Sequence, residues 1–184
     1  MKRSQFIKTL ILFLSVLLIK PLSSFASLNS IKLGEKAPSF LLSGYNKNFP
    51  KKKQWSLDDF SGEWLILYFF PKDFTSGCTL QAKGFQEYLS KYKKINTSVV
   101  GISADNEDEH ESFCSSAKLG YTLLSDSKGD ISKIYDSWLD PYSKRNTFII
   151  NPKGIVVSKW IGVRPVGHAQ EVLEELIKKQ KIYA

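Results

Sequence analysis

A continuous apolar segment, Trp64-Leu65-Ile66-Leu67-Tyr68-Phe69-Phe70, constrains the fold of this chain more than any other feature. A strand that is apolar at every position has no face suited to water, so the segment predicts a central strand buried on both faces of an α/β sheet. Pro71 ends the run, because proline lacks the amide hydrogen that a sheet ladder needs. From Cys78 to Lys94, apolar residues then recur mostly at steps of three and four, which predicts an amphipathic helix.

Strands and helices are predicted to alternate along the rest of the chain. Strands are expected at 98–103, 122–124, 147–150 and 155–160, and helices at 107–119, within 126–135 and at 167–179. The stretch 33–62 reads as irregular apart from a short strand or hairpin, and Asn151-Pro152-Lys153-Gly154 reads as a hairpin turn. This order predicts an α/β fold in one domain, 27–184, with a mixed central β-sheet flanked by helices on both faces.

The first 26 residues have a different character from the rest. They carry +4 of the formal net charge of +8, begin with basic residues, and continue with an apolar run over 9–19 and small residues before a cleavage point after Ala26. This pattern is typical of a secretory signal peptide, with an uncleaved N-terminal anchor as the alternative. It predicts an exported protein without stable membrane insertion after cleavage. The remaining domain is then only mildly basic, which gives no reason to expect a nucleic-acid partner.

Candidate chemistry lies where the first buried strand meets the first long helix. Cys78 is expected just beyond the carboxyl end of the strand and in the first turn of the helix, where free N–H groups and the helix dipole favour an anion. A thiolate there would be a nucleophile, whereas the plainer interpretation is a buried, inert cysteine. Thr75, three residues upstream, offers a hydroxyl that can donate to and accept from a bound oxygen species. Two cysteines are too few for a cysteine-rich zinc finger or iron-sulfur site, and no metal or other cofactor is predicted.

The sequence resembles a known family at this junction. Pro71, Thr75 and Cys78 match the Pro-x-x-x-Thr-x-x-Cys signature of peroxiredoxins, thiol peroxidases with a thioredoxin-like fold. The longer segment 67–79 is similar to the branch called PrxQ or bacterioferritin comigratory protein. The resemblance covers most of the chain from about Leu33 onward, through the segments Gly101-Ile102-Ser103, Leu123-Leu124-Ser125-Asp126, Arg145-Asn146-Thr147-Phe148-Ile149-Ile150 and His168-Ala169-Gln170-Glu171-Val172-Leu173.

The resemblance implies roles for individual residues. Cys78 would be the peroxidatic cysteine, which attacks a hydroperoxide and becomes a sulfenic acid. Arg145 matches the family arginine that places a fixed positive charge beside the thiolate and donates to the peroxide oxygens; by its position alone it reads as a strand-edge surface arginine. Pro71 would shield the pocket as well as end the strand. Gln81 either braces the pocket or is an ordinary helix-surface glutamine.

The resolving step departs from the commonest PrxQ pattern. Many members carry a resolving cysteine five residues after the peroxidatic one, and here Lys83 occupies that position. Cys114 is the other cysteine of the chain, and a subgroup of the family places its resolving cysteine in that helix. The resemblance therefore implies an intramolecular Cys78–Cys114 disulfide, which requires local unwinding because cysteines on two helices rarely start within about 7 Å of each other. The alternative is a one-cysteine peroxidase in which Cys114 is a small core residue.

Other functions are weaker predictions. A thioredoxin-like thiol-disulfide oxidoreductase needs a Cys-x-x-Cys pair, and Thr75 occupies the required position. A zinc site would have to combine the cysteines with His110 and His168, which we predict as a helix-face residue and as a cap or surface residue. An exported chaperone or binding module would not need Cys78. The resemblance implies a hydroperoxide substrate, a thioredoxin-like reductant and a monomer, and the signal peptide is consistent with the periplasm or the thylakoid lumen.

Overall fold

Residues 31–183 are described here by a computed structural model. The predicted signal peptide lies outside these residues. The described chain forms one seven-stranded sheet, a separate two-stranded hairpin, four α-helices and one 3₁₀ helix over Leu57–Phe60. In chain order the elements are β1 (Leu41–Tyr45), β2 (Gln54–Ser56), β3 (Trp64–Phe69), α1 (Ser76–Lys94), β4 (Thr97–Ser103), α2 (Glu107–Ala117), β5 (Thr122–Ser125), α3 (Asp130–Ile134), β6 (Trp138–Leu139), β7 (Tyr142–Ser143), β8 (Thr147–Ile150), β9 (Val156–Trp160) and α4 (His168–Tyr183).

The seven-stranded sheet is mixed, with strand order β2-β1-β5-β4-β3-β8-β9. Strands β3, β4 and β5 run parallel, while β1, β2, β8 and β9 pair antiparallel with their neighbours. All six residues of β3 are buried, as its apolar sequence predicts. Because β3 lies between β4 and β8, both of its backbone edges are hydrogen-bonded and both of its faces are covered.

The two faces of the sheet carry different helices. The long helices α1, α2 and α4 pack on one face together with the alternate β3 residues Trp64, Ile66 and Tyr68. The other face, with Leu65, Leu67 and Phe69, is covered by the 3₁₀ helix, the region of α3 and the chain before β1. The alternation follows from the two-residue repeat of a strand, which sends successive side chains to opposite faces.

The predicted order of elements is confirmed, with shifts of a few residues at their ends. The stretch before β3 contains the expected hairpin, β1 with β2, and Asn151 Oδ1 accepts from the amides of Lys153 and Ile155 in the turn between β8 and β9. The hairpin of β6 with β7 was not predicted, because each strand has only two residues and shows no usable repeat. Within residues 31–183, no helix is long and apolar enough to span a membrane.

Candidate active site

Cys78 lies at the junction predicted from the sequence. Pro71 is half-buried just past the end of β3, and Thr75 has an extended backbone immediately before α1. Cys78 is the third residue of α1 and is only 2% exposed. Cys78 therefore lies in the first turn of α1, at the positive end of the helix dipole, where backbone amides have no partner within the helix.

Arg145 reaches Cys78 from the loop before β8. Its Nη2 donates to Sγ of Cys78 at 3.3 Å, so a full positive charge lies in contact with the sulfur. Gly77 leaves room for this approach, because a Cβ on residue 77 would make a tight contact of 3.3 Å with the same Nη2. The carbonyl of Arg145 accepts from the amide of Val163 at 2.7 Å, which fixes the backbone that carries the guanidinium. The position of Arg145 is therefore that of a site residue and not that of a free surface arginine.

Gln81 holds the same guanidinium from the other side. Its Oε1 accepts from Arg145 Nη1 at 2.7 Å, and the side chain is only 1% exposed. The interpretation of Gln81 as a helix-surface residue is therefore wrong. It lies one turn after Cys78 on the buried face of α1, so the helical repeat places both residues towards Arg145. Fixed at both nitrogens, the guanidinium has little freedom to turn away from the sulfur.

The hydroxyl of Thr75 can act towards the site only as a hydrogen-bond acceptor. Its Oγ1 donates to the carbonyl of Lys72 at 3.0 Å, which uses the hydroxyl proton. The side chain is exposed, and the oxygen retains lone pairs that can accept a hydrogen bond from a bound molecule. Among the described residues, no hydrogen bond joins Thr75 to Cys78 or Arg145, so the structure groups Cys78, Arg145 and Gln81 directly and places Thr75 at the rim.

Cys114 lies outside this group, on α2. It is 2% exposed within the aromatic core beside Phe113 and Tyr121, and both cysteines are free thiols. Burial, followed by the charge of Asp73, raises the pKa of the Cys114 thiol to about 12, while Lys47 opposes the shift. At neutral pH this thiol is therefore protonated in the folded arrangement.

The two histidines are both buried. His110 lies on a face of α2, as predicted, and that face is the buried one: Nδ1 is 2.7 Å from Asp73 Oδ2 and Nε2 is 3.1 Å from the carbonyl of Leu124. His168 was predicted as a cap or surface residue; it begins α4, but the surface alternative is wrong, because it is 2% exposed and its Nε2 lies 2.9 Å from Thr147 Oγ1. Burial lowers the pKa of His168, against the opposing effect of Glu171.

Asp73 is the residue that sequence reasoning missed. It lies in the segment before Cys78 and was given no role, yet it is 3% exposed and contacts His110 on the helix that carries Cys114. A signal was available: Asp73 lies five residues before Cys78, and His110 lies four residues before Cys114, on the same face of α2. Within residues 31–183, no group of three or more His, Cys, Asp or Glu side chains is arranged to hold a metal ion.

Comparisons with known proteins agree with the fold. The AhpC/TSA family model matches residues 33–159. The chain is 35% identical over 156 residues to chloroplastic peroxiredoxin Q of Populus jackii, covering 83% of this chain and 70% of the relative. It is 36% identical over 163 residues to the mitochondrial thioredoxin-dependent peroxide reductase of Drosophila melanogaster, covering 83% and 68%.

A solved structure extends the likeness to three dimensions. The bacterioferritin comigratory protein of Xanthomonas campestris, studied for its alkyl peroxide reduction activity, superimposes with a TM-score of 0.71 at 28% identity, over 76% of this chain and 91% of that one. The thioredoxin-like fold with a mixed sheet and flanking helices is thereby confirmed. With the cysteine, the arginine and the helix start in place, the chain belongs to the AhpC/TSA family, as a peroxiredoxin of the Bcp/PrxQ branch.

Proposed function

We propose that Cys78 is the peroxidatic cysteine of a thiol peroxidase that reduces hydrogen peroxide and organic hydroperoxides. Its thiolate attacks the terminal oxygen of R–O–O–H, a sulfur–oxygen bond forms, and the oxygen–oxygen bond breaks. The sulfur becomes a sulfenic acid, and the departing oxygen takes a proton and leaves as water or an alcohol. The contact that carries the proposal is the 3.3 Å hydrogen bond from Arg145 Nη2 to Cys78 Sγ.

The positive charge of Arg145 is proposed to act on both the attacking sulfur and the leaving oxygen. In the resting enzyme it stabilises the thiolate, and during attack negative charge moves from the sulfur to the leaving oxygen. A guanidinium already fixed by Gln81 can follow that charge with little reorganisation, which is the condition for electrostatic stabilisation of a transition state. Gln81 is thus a positioning residue that acts through Arg145.

Thr75 is proposed to orient the peroxide. With its hydroxyl proton donated to the carbonyl of Lys72, its oxygen is left as an acceptor for the O–H of the hydroperoxide. Pro71 is proposed to shield the pocket from the strand side, where it lies half-buried. These two residues would hold the peroxide at the rim while Arg145 acts on the reacting atoms.

Cys114 is proposed to resolve the sulfenic acid. Its thiolate attacks the Cys78 sulfur, a disulfide forms, and the hydroxyl leaves as water. Two facts mean that this step needs a local opening: both sulfurs are 2% exposed, and the Cys114 thiol, with its pKa raised to about 12, is protonated where it lies. When α2 loosens, water reaches Cys114 and removes the desolvation that holds the proton on it.

The disulfide would be reduced by a thioredoxin-like thiol donor, in keeping with the name of the Drosophila relative. No cofactor enters this cycle, since the electrons come from thiols. The proposal also includes a monomer, and export to a periplasm or thylakoid lumen, which is supported by the sequence of the first 26 residues alone. N-terminal sequencing of the protein recovered from its own host tests the cleavage after Ala26.

One equivalent of peroxide without reductant tests the proposed cycle, with the product identified by intact mass spectrometry. A mass about two units below that of the dithiol, lost in Cys114→Ser, supports the Cys78–Cys114 disulfide. Persistent sulfenic or sulfinic acid on Cys78 in the unsubstituted protein supports instead the one-cysteine alternative, which the deep burial of Cys114 favours. Failure of Cys78→Ser to lose peroxidase activity would overturn the whole proposal.

A further inference from the structure

The loop before Cys78 is bound to the helix that carries Cys114 by a buried polar pair. Asp73 Oδ2 lies 2.7 Å from Nδ1 of His110, with side-chain exposures of 1% and 0%. The other ring nitrogen of His110 is 3.1 Å from the carbonyl of Leu124 on β5 and must donate to it, because a carbonyl only accepts. His110 therefore connects three elements: the loop, its own helix α2 and the sheet.

An aromatic contact reinforces the pair at the next residue of the loop. The ring of Phe74 meets the ring of Phe113 edge-on, with centroids 5.2 Å apart. Phe74 is 54% exposed and has a φ of +62°, a left-handed backbone that non-glycine residues adopt at a cost. The exposed ring gains little from burial, so its conformation depends on the contacts that hold the loop on α2.

These contacts fall on the helix face that also holds the second cysteine. His110, Phe113 and Cys114 are separated by three and four residues and are all buried. The loop that leads to Cys78 is held against this face of α2, so we expect Cys78 to approach Cys114 only when the loop separates from α2 or part of the helix unwinds. The amide of Asp73 also donates to Asp105 Oδ2 at 2.8 Å, but Asp105 precedes α2, so that bond can persist while the helix loosens.

We propose that the Asp73–His110 pair is the tie that holds the two cysteine-bearing segments in the closed arrangement, and that its breaking sets the rate of disulfide formation. The inference rests on the proposed Cys78–Cys114 disulfide. The tie keeps Cys78 beside Arg145 for attack on peroxide, and it delays Cys114 afterwards. The tie thereby determines how much of the sulfenic acid becomes disulfide and how much a second peroxide oxidises to sulfinic acid. Asp73 and His110 are positioning residues, since neither contacts the reacting sulfur.

The surroundings of Asp73 suit a contact that breaks during turnover. Burial raises the pKa of this carboxyl and disfavours its charge, while the hydrogen bond and charge of His110 act in the opposite direction. Its second oxygen, Oδ1, is buried without a hydrogen-bond partner among the described residues. A buried carboxyl with one satisfied oxygen stabilises the closed state less than a fully bonded one would.

Two substitutions at residue 110 separate the tie from the rest of the histidine's contacts. In His110→Gln the amide occupies the position of Nε2 and can donate to the Leu124 carbonyl, but nothing replaces Nδ1. In His110→Asn the amide occupies the position of Nδ1 and can donate to Asp73, while the bond to Leu124 is lost. Each variant keeps one of the two hydrogen bonds of His110. A general loosening of the core would therefore change disulfide formation in both variants, whereas loss of the tie would change it only in His110→Gln.

The disulfide-forming step is followed from the sulfenic acid onward, by acid quench, thiol labelling and mass spectrometry. We expect His110→Gln to form the disulfide about tenfold faster and to accumulate correspondingly less sulfinic acid in excess peroxide, as loss of one charge-assisted hydrogen bond implies. His110→Asn should remain within about threefold of the parent. Equal rates in all three proteins, or equal acceleration in both variants, would overturn the inference.

Hydrogen exchange on the reduced protein gives a readout that does not require the disulfide. His110→Gln should raise amide exchange about tenfold in 107–117 and in the loop before α1, with no change in β3, while His110→Asn should not. If the unsubstituted protein forms no disulfide, the proposed resolution by Cys114 fails while the proposed peroxidase activity stands, and this measurement still decides the tie. Unchanged exchange in 107–117 in His110→Gln would overturn it. Should His110→Gln not fold, Asp73→Ala removes the carboxyl from the same contact and leaves His110 Nδ1 without its partner, and it must accelerate exchange in the same segment.

Discussion

Cys78 and Cys114 have the same exposure and opposite surroundings. Each is 2% exposed and lies on a helix of the same core cluster. Cys78 faces the guanidinium of Arg145 and the start of its helix, whereas Cys114 lies near the end of α2 among aromatic rings and under the field of Asp73. Burial alone therefore does not distinguish the two thiols in this fold.

The difference lies in the charges and the polarity around each sulfur. Arg145 places a positive charge in contact with the sulfur of Cys78, while burial and nearby carboxylates favour the thiol form of Cys114. If Cys114 is the resolving cysteine, as proposed, a thiol that stays protonated until the structure opens does not compete with Cys78 for peroxide. This contrast would then set the order of the two proposed steps.

The largest expected effect comes from removing each sulfur in turn, which tests whether the two cysteines have different roles. Cys78→Ser should lower peroxidase activity by roughly 10³-fold or more, because the hydroxyl is not ionised and cannot attack the peroxide. Cys114→Ser should still consume one equivalent of peroxide per enzyme at the parent rate. Stopped-flow measurement of a single turnover checks both. Comparable loss in the two variants would mean that Cys114 takes part in the attack itself.

The positive charge at Cys78 is the next difference to test. Arg145→Met should lower kcat/KM for peroxide by about 10²-fold, the usual effect of losing one donor that follows charge in a transition state. Arg145→Lys restores the charge but cannot contact Cys78 and Gln81 together, so its recovery should be partial. The matched control is Arg164→Met, since Arg164 is exposed. If Arg145→Met behaves like Arg164→Met, the guanidinium has no role in catalysis.

Gln81 tests whether the charge must also be held in place. Gln81→Met removes the acceptor for Arg145 Nη1 while keeping a side chain of similar length, and should lower kcat/KM by about tenfold. Gln170→Met is the control, because Gln170 is an exposed glutamine on α4. The pH profile of the first step should also change in Gln81→Met if the guanidinium drifts from the sulfur. An unchanged profile with unchanged kcat/KM would leave Gln81 a packing residue.

The sequence predicts the parts of this site that depend on local pattern. The all-apolar β3, the proline after it and the repeat in α1 place Cys78 at a strand end and a helix start without any structure. Gln81 could not be assigned to a role, because the partner that decides it, Arg145, is 64 residues away in the chain. Helical position fixed the face on which Gln81 lies, but only the packing of β8 beside β3 brings the arginine to that face.

The same reason explains why the burial of His110 was not predicted. A lone histidine in an acidic helix start, Glu107-Asp108-Glu109, looks solvent-exposed. The structure buries it because Asp73 arrives from a loop 37 residues earlier and satisfies its ring nitrogen. Contacts between buried polar groups that are distant in sequence leave no periodic signal, so they appear only when the sheet order is known.

The last difference to test is the protonation of Cys114. Its pKa in the folded protein is raised to about 12, above the ordinary value of 9.0 that the unfolded chain shows. The unfolded state therefore loses this proton first as pH rises, so the stabilising contribution is complete below about pH 9 and declines as pH approaches 12. Between these limits Cys114 should reduce the free energy of unfolding by up to about 1.4 kcal/mol per pH unit.

Urea unfolding of Cys78→Ser and of Cys78→Ser/Cys114→Ser, in reductant from pH 8 to pH 11, isolates this contribution. Both proteins contain the buried tyrosines Tyr68, Tyr92, Tyr121 and Tyr135, whose pKa values are raised in the same direction. The difference between the two curves therefore contains the titration of Cys114 together with its charge interaction with Tyr68 and Tyr121. That difference should be flat below pH 9 and should then change in favour of the double variant. Curves that stay parallel to pH 11 would mean that Cys114 ionises as readily folded as unfolded, and the electrostatic contrast between the two cysteines would be lost.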